Sequence, residues 1–266
     1  MLLEFIAEHR LVLPAHVRAL LGVSAATASR RLRALERTGL LLGDQLFYGY
    51  PPHYRIRRPG LEVIGSRLPA PKGTLNVRHD IGVAWLWLAA RAGTFGSLRE
   101  VISERKMRSH DAIELHAARV TGRGQREPYG VRLSGHGPAG RPRLHYPDLL
   151  LVDSGGRRIA IELELSSKGG ARRHRIVGGY AADRRIDAVL YLVADQHLAR
   201  EVQAAARRFG CQRRVIVQPV RLGAGQVPDL GRGAERTGAS GRNHGSAPPS
   251  PAWPRGRAEP TRELSL

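Results

Sequence analysis

The stretch Pro147–Leu165, PDLLLVDSGGRRIAIELEL, carries the reading of the fold. Leu149 to Val152 reads as one strand, Asp153-Ser154-Gly155-Gly156 as a hairpin turn, and Arg158 to Leu165 as the returning strand. On the second strand the period of two puts Ile159, Ile161, Leu163 and Leu165 on one face. The opposite face carries Ala160, Glu162, Glu164 and Ser166. Glu162 and Glu164 then stand roughly 7 Å apart. Their repulsion is about half a kcal/mol in water and a few times that at an effective dielectric of about 20. The short turn brings Asp148, directly after Pro147, toward them. Three carboxylates converging on one face would suit a hard cation, Mg²⁺ or Mn²⁺. The competing reading is a sheet edge whose glutamates face solvent and pair with Arg157 or Arg158.

Working outward, residues 78–220 alternate helices and strands. Leu68-Pro69-Ala70-Pro71-Lys72-Gly73 is a Pro/Gly junction, so residues 68–77 read as a linker to a separate N-terminal unit, residues 1–67. In that unit Pro14 opens a helix through Leu21 and Gly22 supplies the turn. Ser24 is placed to cap the next helix, on which Ala28, Leu32 and Leu35 make the buried stripe. Thr27, Arg30, Arg31 and Ala34 lie on another face, as a groove-entering helix requires. Gly39 ends that helix. Leu40 to Tyr48 and His53 to Arg57 read as a hairpin joined by Gly49-Tyr50-Pro51-Pro52. From Gly223 onward the chain is poor in aliphatics and rich in Gly, Pro, Ser and Arg, so residues 221–266 are expected to be a disordered basic tail.

The formal charge is +20, with a pI of about 11.4. An anionic partner follows, and nucleic acid fits best because phosphates reward clustered cations by counterion release. Lysine occurs only at positions 72, 106 and 168, so the charge is nearly all arginine; with 31 glycines, a GC-rich coding sequence is a second source of that bias. The single cysteine, Cys211, excludes an internal disulfide and a cysteine-based zinc site, and suits a reducing cytoplasm. The first residues lack a basic start, and the apolar run Ile81 to Ala90 is too short for a bilayer. A soluble, cytoplasmic protein without a membrane partner is expected. No phosphate-loop lysine motif is present, which argues against an NTPase.

The N-terminal layout, VSAATASRRLRALERTGLL followed by YRIRRPGLEVIG, resembles the winged helix-turn-helix DNA-binding family. That resemblance implies DNA contacts from Thr27, Ser29, Arg30, Arg31 and Arg33, with Arg55 or Arg57 reaching backbone from the wing; protein–protein contact is the alternative use. The central segment resembles the PD-(D/E)XK nuclease superfamily, whose core is helix, three-stranded meander, helix, strand. Carried over, these are His79–Arg91, Leu98–Ser103, Leu149–Val152, Arg158–Leu165, Gly170–Asp183 and Ala188–Ala194. Pro147-Asp148 is then the PD and Glu162 the acidic partner. The family's lysine position holds Glu164. Lys168 is in phase with it but about 13 Å further along at strand rise, in the turn before a helix that also bears Arg172, Arg173 and Arg175.

The order of the motifs VRHDIGVAWLWLAA, SERKMRSHD, PDLLLVDSGGRRIAIELELSSK and RIVGGY behind a winged helix resembles the replication-relaxation family of plasmids and integrated mobile elements, notably in actinobacteria. The expected fold is therefore α/β (α+β): a winged helix-turn-helix, a restriction-endonuclease-like αβββαβ domain and a tail. The resemblance implies a role in replication, relaxation or mobilisation of DNA. If the site is active, Asp148 and Glu162 hold the metal and Glu164 is a further ligand or water-orienting base, while Lys168, Arg172 or Arg175 contacts phosphate. The rival is a regulator whose nuclease fold is catalytically inert.

Overall fold

The computed structural model describes residues 1–45, 51–73, 76–122, 127–137, 142–166 and 169–222. The expected tail from 223 onward, the tip of the expected wing at 46–50, and Lys168 lie outside the described residues.

Three helices open the chain: α1 (Leu2–Glu8), α2 (Pro14–Leu21) and α3 (Ala25–Arg37). Pro14 sits in the first turn of α2, where its missing N–H has no partner to lose. Gly22 closes that helix at φ 63°, a left-handed conformation that favours glycine. Ser24 caps α3 by accepting from the Thr27 amide. Ala28 and Leu32 are fully buried, and Leu35 packs beside them. The hairpin β1 (Leu41–Asp44) and β2 (His53–Ile56) pairs Leu41 with Ile56. A bridge from Val12 to Tyr54 ties β2 back to the segment between α1 and α2. A short helix, α4 (Arg58–Val63), follows at once. Gly60 is required there: a Cβ would stand 2.5 Å from the Leu40 carbonyl oxygen.

The rest of the chain builds α5 (Val77–Arg91), β3 (Leu98–Ser103), α6 (Glu104–Thr121), β4 (Val131–His136), β5 (Pro142–His145), β6 (Leu149–Asp153), β7 (Arg158–Glu164), α7 (Gly170–Ala182), β8 (Ala188–Val193), α8 (Gln196–Arg208) and β9 (Val215–Pro219). The result is mixed α and β, with eight helices among the described residues. Its main sheet has the order β3-β6-β7-β8-β9, antiparallel from β3 to β7 and parallel from β7 to β9. β7 is therefore the central strand, not an edge. Leu149 pairs with Ile161 and Leu151 with Ile159.

The sheet has two different faces. Ile159, Ile161, Leu163, Leu190 and Leu192 pack with Leu86 and Ala90 of α5. On the other side Leu150, Ala160, Val189 and Val193 pack with Ile176, Val177 and Tyr180 of α7 and Val202 of α8. Glu162 and Glu164 belong to this second side by the strand period. Parallel β7, β8 and β9 need crossovers, which α7 and α8 supply.

Helix α5 serves both units. Ala84 and Leu88 join the N-terminal core while Leu86 and Ala90 cover the sheet. The Trp85 ring lies 4.6 Å from His16, and Trp87 lies 5.3 Å from Phe5 and 5.8 Å from His9. Arg105 of α6 donates to the Ala7 and Pro69 carbonyls at 2.9 and 2.6 Å. His9 and His16, enclosed in this contact, are pushed down to about 3 by burial and stay neutral. No helix among the described residues is long and apolar enough to cross a membrane.

Candidate nucleic-acid interface and acidic site

On α3 the stripe Ala28–Leu32 faces the core, so Arg30, Arg33 and Arg37 point the other way with Arg31 on the flank. Arg30, Arg31 and Arg33 are exposed; Thr27 and Ser29 are half-buried beside them. Arg30 donates to Thr27 Oγ1 at 3.3 Å, which presents the guanidinium along the helix. The acid of this helix is turned away, because Glu36 accepts from the Gly43 amide at 3.1 Å. The face is thus cationic without a built-in counter-charge. On the hairpin, Arg57 is exposed. Arg55 differs: its side chain is 17% exposed and lies 4.0 Å from Asp44.

Each acidic residue has its own hydrogen-bond partners. Asp148 Oδ2 accepts from the Leu163 amide at 2.8 Å and meets His79 Nε2 of α5 at 3.1 Å. Glu162 Oε1 meets His145 Nε2 of β5 at 2.6 Å and accepts the hydroxyl of Tyr180 from α7. Burial, then the neighbouring Glu162 charge, holds the Tyr180 phenol well above its ordinary range, so it remains a donor. Tyr191, paired with Glu162 in the ladder, is raised by burial and by the charges of Glu162 and Glu164.

Glu164 has a different partner. Arg173 of α7 donates Nη2 to Glu164 Oε1 at 2.8 Å and Nε to Oε2 at 3.4 Å. Both are buried, the side chains being 3% and 6% exposed. Burial opposes the guanidinium charge, but the bonds and charges of Glu164 and then Glu201 outweigh it and raise its pKa. Glu201 Oε2 is 2.9 Å from Nη1 yet accepts no hydrogen bond, so Glu164 is the main partner.

The strand pair thus answers its own repulsion. Each carboxylate is matched separately, Glu162 by neutral or histidine donors and Glu164 by an arginine, and neither partner is Arg157 or Arg158. Among the described residues no group of three or more His, Cys, Asp or Glu is arranged to hold a metal. Asp148 and Glu162 supply hard oxygen donors that fit Mg²⁺ or Mn²⁺. Glu164 leaves that set because Arg173 neutralises it.

Arg172 is exposed, and Arg175 lines a groove with β4 on a flank of α7. His79, His145, Tyr180 and Arg173 are the partners of these carboxylates that the sequence pattern did not single out. A histidine one register step before the PD was the available signal for His145. A small cavity lined by Glu8, His9, His79, Glu104 and Asp148 lies where α1 meets this edge of the sheet. Comparison with protein-family models, with curated proteins and with solved structures gave no match.

Proposed function

We propose that this is a DNA-binding protein whose N-terminal unit is a winged helix-turn-helix and whose second unit is a PD-(D/E)XK nuclease-like domain. In this reading it acts on a plasmid or integrated mobile element, in replication, relaxation or mobilisation, as the order of motifs suggests. The observation that carries it is the exposed arginine face of α3, opposite a fully buried Ala28–Leu32 stripe and free of internal acids. A helix of this kind, reached by a tight turn and followed by a hairpin, presents side chains to a major groove. Arg30, Arg31 and Arg33 meet DNA there, with Thr27 and Ser29 near the helix N-terminus. Arg57 is the better wing contact, since Arg55 is drawn toward Asp44. The test is a mobility-shift titration with duplex DNA. Arg30→Ala with Arg31→Ala is expected to weaken binding at least ten-fold; unchanged binding overturns the reading.

A second reading, a metal-dependent endonuclease, is favoured by the pair Asp148 and Glu162, each beside a histidine at hydrogen-bond distance. The two carboxylates would hold Mg²⁺ or Mn²⁺, which supplies an acidified water and charge neutralisation at the phosphate. His79 and His145 would orient those carboxylates, and Tyr180 would keep one Glu162 oxygen in place. Glu164 would hold Arg173 rather than act as a base. A plasmid-nicking assay with Mg²⁺ or Mn²⁺ tests this reading: Glu162→Ala should abolish nicking, and equal nicking by both proteins refutes it. With no nicking by the wild type, the inert-fold regulator stands.

A further inference from the structure

A groove of about 770 Å³ runs between α7, β4 and the C-terminal end of α8, and no residue of α3 lines it. Arg132, Ser134, His174, Arg175, Arg184 and Phe209 line it. Of its two acids, Asp183 is paired within the fold, while Glu127 is 80% exposed and makes no hydrogen bond to its neighbour. Asp183 is held by Arg185 at 2.6 Å, and Glu127 lies 3.9 Å from the same guanidinium. Arg185 also donates to the Pro128 and Gly130 carbonyls, which fixes the start of β4 against the end of α7. Arg132, Arg175 and Arg184 have no ion pair with a described residue, so three cations face the groove unneutralised.

Beside them stands an exposed aromatic. Phe209 is 40% exposed, directly after α8. Its ring edge rests on Gly178, where a Cβ would come within 3.0 Å. The His174 ring lies 6.3 Å away at 65°, its Nδ1 bonded to the Gly170 carbonyl at 2.8 Å, which leaves Nε2 outward. An apolar partner would not call for three unpaired guanidiniums, and a duplex is too wide for a groove of this size and hides its base faces. A cationic track with an exposed ring is the arrangement that receives phosphates and a stacked base.

We propose that this groove binds single-stranded DNA, with a base stacked on Phe209 and phosphates at Arg132, Arg175 and Arg184. The choice of DNA over RNA rests on the DNA-binding reading above; the groove itself does not depend on α3.

The experiment uses the full chain and fluorescein-labelled dT12, followed by anisotropy across a salt series, with rU12 and a duplex in parallel. Phe209→Leu, which keeps an apolar group on Gly178 but removes the π-face, should weaken dT12 binding about ten-fold at unchanged salt slope. Arg175→Ala with Arg184→Ala should cut the salt slope by about 1.4, from two lost phosphates at about 0.7 each. Phe209→Leu should leave duplex binding as it is, and Arg30→Ala with Arg31→Ala should spare dT12. The proposal is overturned if the wild type does not bind dT12 at low salt, or if it binds rU12 and not dT12. It is also overturned if neither groove variant changes dT12 affinity. Loss of duplex binding alone counts against the α3 reading and not against this one.

Discussion

Arg173→Met removes the one donor group among the described residues that neutralises Glu164. In the native fold that carboxylate is 6% exposed and takes two guanidinium N–H bonds. Deleting the arginine leaves a buried charge without compensation, which costs about 3–5 kcal/mol. The half-exposed Glu201 adds little, since its oxygen accepts no hydrogen bond. In urea, at a slope of about 2 kcal/mol per molar, the midpoint should fall by about 2 M. The informative control is Arg173→Met with Glu164→Leu. Replacing a buried pair by apolar groups is close to neutral, so the double variant should regain most of the lost stability. Equilibrium unfolding of wild type, both single variants and the double variant gives the coupling directly. The reasoning is refuted if Arg173→Met costs less than about 1 kcal/mol, or if adding Glu164→Leu lowers stability further. Either result would mean that Glu164 is hydrated and open to another partner, a metal included.

Stability should also depend on pH through His9 and His16. Their folded-state pKa of about 3 is below the unfolded value of 6.5, so their contribution is present above about pH 6.5 and lost as pH falls toward 3. At pH 5 the loss is about 2 kcal/mol for each, and unfolding at pH 7 and pH 5 should show a flatter dependence in His9→Leu than in wild type. Gly60→Ala forces a Cβ to 2.5 Å from the Leu40 carbonyl, a backbone atom that cannot swing aside; a loss of about 1–3 kcal/mol in thermal unfolding is expected, and no loss would show that α4 shifts freely. Ser24→Ala removes the cap on α3 and should cost about 1 kcal/mol, with Ser24→Asp restoring it.

The local elements were legible where pattern and period agree. The strands read as Leu149–Val152 and Arg158–Leu165 are β6 (Leu149–Asp153) and β7 (Arg158–Glu164), because alternating Ile and Leu residues and the Gly-Gly turn leave one solution. Of the elements carried over from the resemblance, the helix Gly170–Asp183 is α7, one residue shorter, and the strand Leu98–Ser103 is β3. Other elements give little signal. Helix α6 runs for 18 residues yet buries only Met107 and Asp111, so no apolar stripe announces it. The β4–β5 hairpin is mostly exposed and rich in Gly and Arg. The expected Leu40–Tyr48 strand is described only as Leu41–Asp44.

The sequence pattern marks candidate residues and not their pairings. Asp148, Glu162 and Glu164 were all singled out, but spacing does not reveal which partner each one takes. His79 meets Asp148 across 69 residues, and Arg173 reaches back nine residues to Glu164. Those contacts depend on how α5 and α7 are seated on the two faces of the sheet. Phase along one strand carries no such information.

The claim that α3 binds duplex DNA is tested most directly by the salt dependence of binding. Wild type and Arg30→Ala with Arg31→Ala would be titrated with the same duplex across a NaCl series. If both arginines meet phosphates, the slope of log K against log [salt] should become shallower by about 1.8, from two contacts at about 0.9 each, as affinity falls. Equal slopes and equal affinities in the two proteins would contradict the account.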